Sequence, residues 1–113
     1  MKKLIIGATG SIGSAVSRNI QKNGGKTHLV GRNENELSTL AKELGSTFTV
    51  ADVLNENFSD VIIKDLGDQE IDGLAFCVGS IDLKPLKLTK KSDYMQCFNL
   101  NLISATEIIR ACH

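Results

Sequence analysis

The chain has 113 residues, enough for one hydrophobic core and too few for two. Its 13 basic and 13 acidic residues cancel, with a pI near 6.7, so no net field draws it to nucleic acid or to an anionic membrane. Cys77, Cys97 and Cys112 lack metal-ligand spacing and His28 and His113 stand alone, so neither a metal site nor a disulfide framework is expected.

The elements alternate along the chain. "KKLIIGA" is a short apolar run, read as a strand buried on both faces; it breaks at Gly7, too soon for a signal core or a membrane span, and a cytoplasmic location is expected. Ile12, Ala15, Val16 and Ile20 then recur at helical spacing, and Asn23, Gly24 and Gly25 supply the stop. "THLVG" is a second strand. In "NENELSTLAKELG" the apolar Leu37, Leu40, Ala41 and Leu44 share one helix face, closed by Gly45. "TFTVADV" is a third strand, rich in β-branched residues. Phe58, Val61, Ile62 and Leu66 mark a third helix ending at Gly67, and "IDGLAFCVG" is a fourth strand with Cys77 as a small core residue within it. Residues 80–91 hold the only proline and read as a surface loop; a long helix runs from Ser92, its expected N-cap, to the end. Strand and helix alternating four times predict a parallel sheet with helices on both faces.

That context gives "IIGATGSIGSAV" its meaning. Gly7, Gly10 and Gly13 sit between the first strand and the first helix, where unpaired backbone N–H groups and the positive end of a helix dipole converge. A diphosphate is stabilised there, and glycine leaves no Cβ between backbone and ligand. Spaced glycines also occur in ligand-free turns, but the strand-turn-helix setting favours a dinucleotide. The second strand ends in "LVGRN": Gly31 leaves space and Arg32 offers a fork of donors to a 2′-phosphate, which favours NADP over NAD. Arg32 as a solvated loop charge is the alternative, and Glu34 and Glu36 read as first-turn residues of the next helix.

With these residues in view, the chain resembles the short-chain dehydrogenase/reductases over nearly its whole length. The resemblance rests on Gly7, Gly10 and Gly13, on Arg32, on "ADV", on "IDGLAFCVGS" and on "FNLNL". It implies a Rossmann-like doubly wound parallel sheet in strand order 3-2-1-4, and a cofactor-binding set of Gly7, Thr9, Gly10, Ser11, Ile12, Gly13, Arg32, Asp52, Val53 and Gly79. Asp52 would hydrogen-bond the adenine amino group and the Val53 backbone would read the ring edge; the alternative for Asp52 is a turn or capping carboxylate. The sequence departs from the family where Ile6 replaces a common threonine and where Phe76 and Cys77 replace two asparagines before the retained Gly79.

Tyr94, Cys97, Asn101, Ala105, Ile108 and Cys112 step along one face of the last helix, with Asn101 its one strongly polar member. The resemblance makes Asn101 a catalytic residue, part of a proton path to an active-site lysine; an interior amide satisfied by backbone is the alternative. The family's serine and Tyr-x-x-x-Lys segment do not occur before His113, and Tyr94 is followed four residues later by Phe98. Residues 1–113 are thus expected to be the cofactor-binding half of an NADP-dependent reductase acting on a small-molecule carbonyl or alcohol, inactive alone. An open sheet edge and apolar residues on several faces of the last helix predict a homo-oligomer. A complete, non-catalytic dinucleotide-binding or interaction module is the alternative, and Lys84, Lys87, Lys90 and Lys91 read as a solvated loop sooner than a docking surface.

Overall fold

The structure, a computed structural model, describes residues 2–78 and 108–110. Strands and helices alternate as β1 (Lys2–Ile6), α1 (Ser11–Lys22), β2 (Lys26–Gly31), α2 (Glu34–Leu44), β3 (Thr47–Val50), α3 (Phe58–Leu66) and β4 (Ile71–Phe76). The strands form one parallel sheet in the order β3-β2-β1-β4, the expected order. The expected loop over residues 80–91, with its lysines, and nearly all of the expected last helix lie outside the described residues; Ile108, Ile109 and Arg110 are helical.

Each strand carries side chains to two faces, and both faces are covered. Leu4, Ile6 and Val30 point to one side and meet Val53, Phe58, Ile62, Leu66 and Ile108. Ile5 and Leu29 point to the other and meet Ala8, Leu37, Leu40 and Ala41. Leu4, Ile5 and Ile6 are all fully buried, so β1 is apolar at successive positions because it lies between two helical layers. At β4 the alternation is adjusted by one residue. A register shift between Lys2 and Lys3 leaves Asp72 without a ladder partner, which places Ile71 and Leu74, three apart, against the same cluster. The Asp72 carboxylate pairs with Lys3 Nζ at 2.9 Å, and the hydrogen bond from that ammonium holds its pKa below the ordinary value.

The helices begin and end as their residues dictate. Asn33 caps α2 by accepting the Glu36 N–H, Glu34 and Glu36 occupy its first turn, and Gly45 closes it in a left-handed conformation at φ 63. The apolar face of α2 is as expected, whereas those of α1 and α3 are narrower. Helix α1 buries Gly13 and Ser17, with Val16 and Ile20 partly covered, while Ala15 is exposed and Ile12 is 71% exposed. The cause is distance: α1 lies so close to β1 that the stripe it turns inward must be small, and the larger Ile12 is carried outward. In α3, Phe58, Ile62 and Leu66 are buried and Val61 faces out.

Between β2 and β3 the packing is polar. His28, fully buried, meets Thr47 Oγ1 through Nδ1 at 2.6 Å and Thr49 Oγ1 through Nε2 at 2.7 Å. Burial, and secondarily the Lys2 charge, push the imidazole below its ordinary pKa of 6.5, with Asp65 opposing. The unfolded chain therefore takes up this proton more readily than the folded one. Stability from His28 is complete above 6.5 and declines as the pH falls toward the lower folded value. Thermal denaturation is expected to show a midpoint that drops between pH 7.5 and 5.5 in the parent chain and drops less in His28→Gln; equal slopes would remove His28 from the account.

Candidate functional site

A cavity of about 410 Å³ opens where the carboxyl ends of the strands meet their following turns. It is lined by Ile6, Gly7, Thr9 and Gly10 from the end of β1 and its turn, by Gly31 and Arg32 at the end of β2, by Asp52, Val53 and Leu54 after β3, and by Cys77 and Val78 after β4. In an open parallel sheet, the crevice beyond the strand ends beside the reversal of strand order is where ligands bind. Here the order reverses at β1, flanked by β2 and β4, and the glycine turn follows β1 directly.

The three glycines have three different tasks. Gly7 turns the chain at φ 81, and a Cβ there would lie 2.8 Å from Val78 Cγ2 and 3.0 Å from the Cys77 carbonyl oxygen. Gly10 is the N-cap of α1 at φ −71, open to any residue, and a Cβ there would meet only the Gly7 carbonyl oxygen at 3.5 Å. Gly13 lies in the helix, where a Cβ would collide with the Gly7 carbonyl oxygen and stand 3.1 Å from Ala8 Cα. So Gly7 makes the turn, Gly13 brings the helix to the strand, and Gly10 leaves the helix end uncovered. Ser11, Ile12 and Gly13 stand in the first turn of α1 and do not line the cavity; their backbone N–H groups belong to the unsatisfied end of the helix.

The N-termini of the described helices differ in charge. Helix α1 has no side-chain cap and no acidic residue in its first turn. By contrast, α2 is capped by Asn33 and carries Glu34 and Glu36, and α3 carries Asp60. An anion is favoured at the N-terminus of α1 and opposed at the others. Among the described residues Arg32 is the cation lining the cavity, and Asp52 is its carboxylate. Arg18, in the neighbouring groove with Thr9 and Ser14, is committed to Glu43 at 2.8 Å, and that hydrogen bond holds the Glu43 carboxyl below its ordinary pKa.

Strand β3 stops at Val50, so "ADV" is a turn beyond the strand and not its last residues. Ala51 N–H still donates to Gly31 O at 2.9 Å, and one Asp52 oxygen accepts the Leu54 N–H at 2.9 Å. Asp52 is therefore a turn carboxylate and a cavity wall at once. Val53 is buried in the core cluster while also bordering the cavity. Cys77 departs from expectation: β4 ends at Phe76, and Cys77 lies past it, half-buried against the cavity. Burial pushes its thiol pKa up, which leaves it protonated and a poor nucleophile. Gly79 and Asn101 lie outside the described residues. Sequence reasoning missed Leu54, exposed at the cavity, and Val78, which packs over Gly7; a single apolar residue after a strand carries no signal that separates a cavity wall from core.

The comparisons with known proteins agree with this architecture. A family model described as short chain dehydrogenase matches residues 2–113. A search of curated proteins finds no significant match. Among solved structures, serine dehydrogenase from Escherichia coli is 25% identical with a TM-score of 0.89 over 99% of this chain and 54% of its own. A closed form of serine dehydrogenase complexed with NADP+ is also 25% identical, with a TM-score of 0.90 over 99% and 47%. A short-chain oxidoreductase from Thermus thermophilus is 26% identical, with a TM-score of 0.85 over 100% and 52%. The chain spans about half the length of these structures. Among the described residues no helix is long and apolar enough to cross a membrane, and no group of side chains is placed to hold a metal ion.

The two glycines at the helix end separate by experiment. Gly13→Ala is expected to lower stability by about 1–3 kcal/mol in chemical denaturation, because a methyl group must displace backbone. Gly10→Ala is expected to stay within about 1 kcal/mol of the parent.

Proposed function

The chain belongs to the short chain dehydrogenase family, and from that premise we propose that its cavity binds the adenosine and pyrophosphate half of NADP in an oxidoreductase acting on a small-molecule carbonyl or alcohol. The observation that carries this reading is the α1 N-terminus, which has neither a side-chain cap nor a carboxylate and stands beside a cradle that a Cβ at Gly7 would crowd. When bound, the nicotinamide cofactor supplies hydride transfer.

The residues of this chain divide the work of holding it. Backbone N–H groups from Ser11 to Gly13 meet the pyrophosphate, with Thr9 and Gly10, whose own N–H is held by the Gly7 carbonyl, shaping the loop around it. Gly31 leaves the ribose room beside Thr9, and Arg32 meets the 2′-phosphate with a planar fork of donors. Asp52 and Val53 take the adenine: the Asp52 oxygen not committed to Leu54 accepts from the amino group. Gly79 extends the set toward the nicotinamide, and Asn101 serves the proton path of the reaction, both from the family pattern. Proton transfer to or from the substrate falls to a Tyr-x-x-x-Lys segment that residues 1–113 do not contain, so this polypeptide alone is inactive in this reading, and its assembly is homo-oligomeric.

Calorimetric titration of the chain with NADPH and NADH tests the reading. NADPH is expected to bind about tenfold or more tightly, a charge-assisted hydrogen bond being worth about 1.5–3 kcal/mol. Arg32→Gln is expected to remove most of that difference and leave NADH nearly unchanged. Equal affinities in the parent overturn the role of Arg32, and binding of neither overturns the role of the glycine loop.

A further inference from the structure

His28 is a buried titratable group that cofactor binding as described above does not use, and its position links the polar seam of the sheet to the cavity. Strand β3 is four residues long and lies at the edge of the described sheet. Apolar packing holds it weakly, since Phe48 and Val50 on one face remain 37% and 41% exposed. On its other face are Thr47 and Thr49, and both hydroxyls bond the same imidazole. Asp52 follows Thr49 by three residues in the turn that walls the cavity.

The hydrogen-bond network assigns the protons. Thr47 Oγ1 accepts from Lys2 Nζ at 3.1 Å and has Gln69 Oε1 within reach at 3.5 Å; with its hydrogen given to Gln69 it meets His28 as an acceptor, and Nδ1 carries hydrogen. Nε2 is then the bare nitrogen, and it accepts the Thr49 hydroxyl. Protonation of Nε2 would set two donors face to face. The Thr49 hydroxyl, 1% exposed, must then rotate its hydrogen away into the interior, or β3 must shift. Charged groups face the ring from two described elements: Lys2 on β1, which opposes a second positive charge, and Asp65 on α3, which favours it. From β3 the ring meets hydroxyls only.

We propose that His28 is a positioning residue for the cofactor cavity: its neutral ring, bonded to Thr47 and Thr49, fixes the end of β3 that places Asp52 and Val53, and its protonation weakens dinucleotide binding. The inference rests on the cofactor reading above. By linkage, a proton that weakens binding must itself be bound less tightly when the cofactor is present. A residue that only stabilises the fold would titrate alike in free and saturated chains.

The experiment is an NMR titration of the His28 ring in the full chain, free and saturated with NADP+, with assignment by His28→Gln, since the sequence holds two histidines. The midpoint is expected to be about half a unit lower in the saturated chain. Correspondingly, NADP+ affinity in the parent is expected to fall about twofold more than in His28→Gln between pH 7.5 and 5.5. Titration of the ligand's own phosphate is common to both chains and cancels. Equal midpoints with binding retained overturn the role of His28 and leave the cofactor reading standing. Failure of both NADP+ and NAD+ to bind at pH 7.5 overturns the two together. If His28→Gln does not fold, the parent titration decides, with the ring assigned through His113→Gln.

Discussion

The rest of the structure depends on the close approach of α1 to the end of β1. A Cβ at Gly13 would enter the Gly7 carbonyl, so the absence of one side-chain atom decides how near the helix lies to the sheet. That distance has two consequences at once. It turns the small stripe of Gly13 and Ser17 inward, where the Ser17 hydroxyl returns to the Gly13 carbonyl at 2.7 Å and leaves no buried polar atom unsatisfied there. It also brings the open N-terminus of the helix beside the cavity, so packing and the placement of that helix end are set by the same contact. A larger residue at Gly13 would alter both, whereas one at Gly10 touches only the second.

Around this contact the sheet carries two cores of different character. Both faces of β1 and the centre of β2 are closed by aliphatic residues, and their exclusion of water is the main stabilising term. Toward β3 the interior becomes polar, with His28 between two threonines and Thr27 bonded to Ser46 at 2.7 Å. Hydroxyl and imidazole partners demand a defined geometry that aliphatic contacts do not. A short edge strand with little apolar area gains its register from directional bonds, and register there decides where the next turn stands.

Much of this was legible in the sequence, and the reasons for what was not are physical. Strand positions and order followed from apolar runs alternating with helical periodicity, and α2 was read nearly to the residue because Asn33 and Gly45 cap it in the usual way. Ile12 and Ala15 recur at helical spacing yet stand exposed on α1, because periodicity reports where apolar residues recur, not how far the helix stands from its neighbour. Cys77 was assigned to the strand interior because an apolar run has no mark for the point where the ladder stops; its N–H still donates to Ile6 O at 2.8 Å, yet the side chain borders open space. The seam at His28 was invisible because its partners lie 19 and 21 residues away, and no local pattern announces a contact across strands.

The site was legible to a different degree for each of its parts. Gly7, Gly10 and Gly13 could be found together because backbone geometry limits which residue can occupy such a turn, and that limit acts through local sequence. Arg32 and Asp52 were harder, since a cation or a carboxylate after a strand is common and becomes meaningful only when topology brings the ends of β2 and β3 beside the glycine turn. What finally distinguishes the α1 N-terminus is comparative: α2 satisfies its end with Asn33 and two glutamates, α3 begins with an aspartate nearby, and α1 has neither. An uncapped helix end costs stability when it has no partner, because its N–H groups lose water without gaining an acceptor. Among the described helices α1 and α3 both lack a side-chain cap, and α1 is the one whose first turn also lacks a carboxylate, beside a cavity where a bound diphosphate would offset that cost.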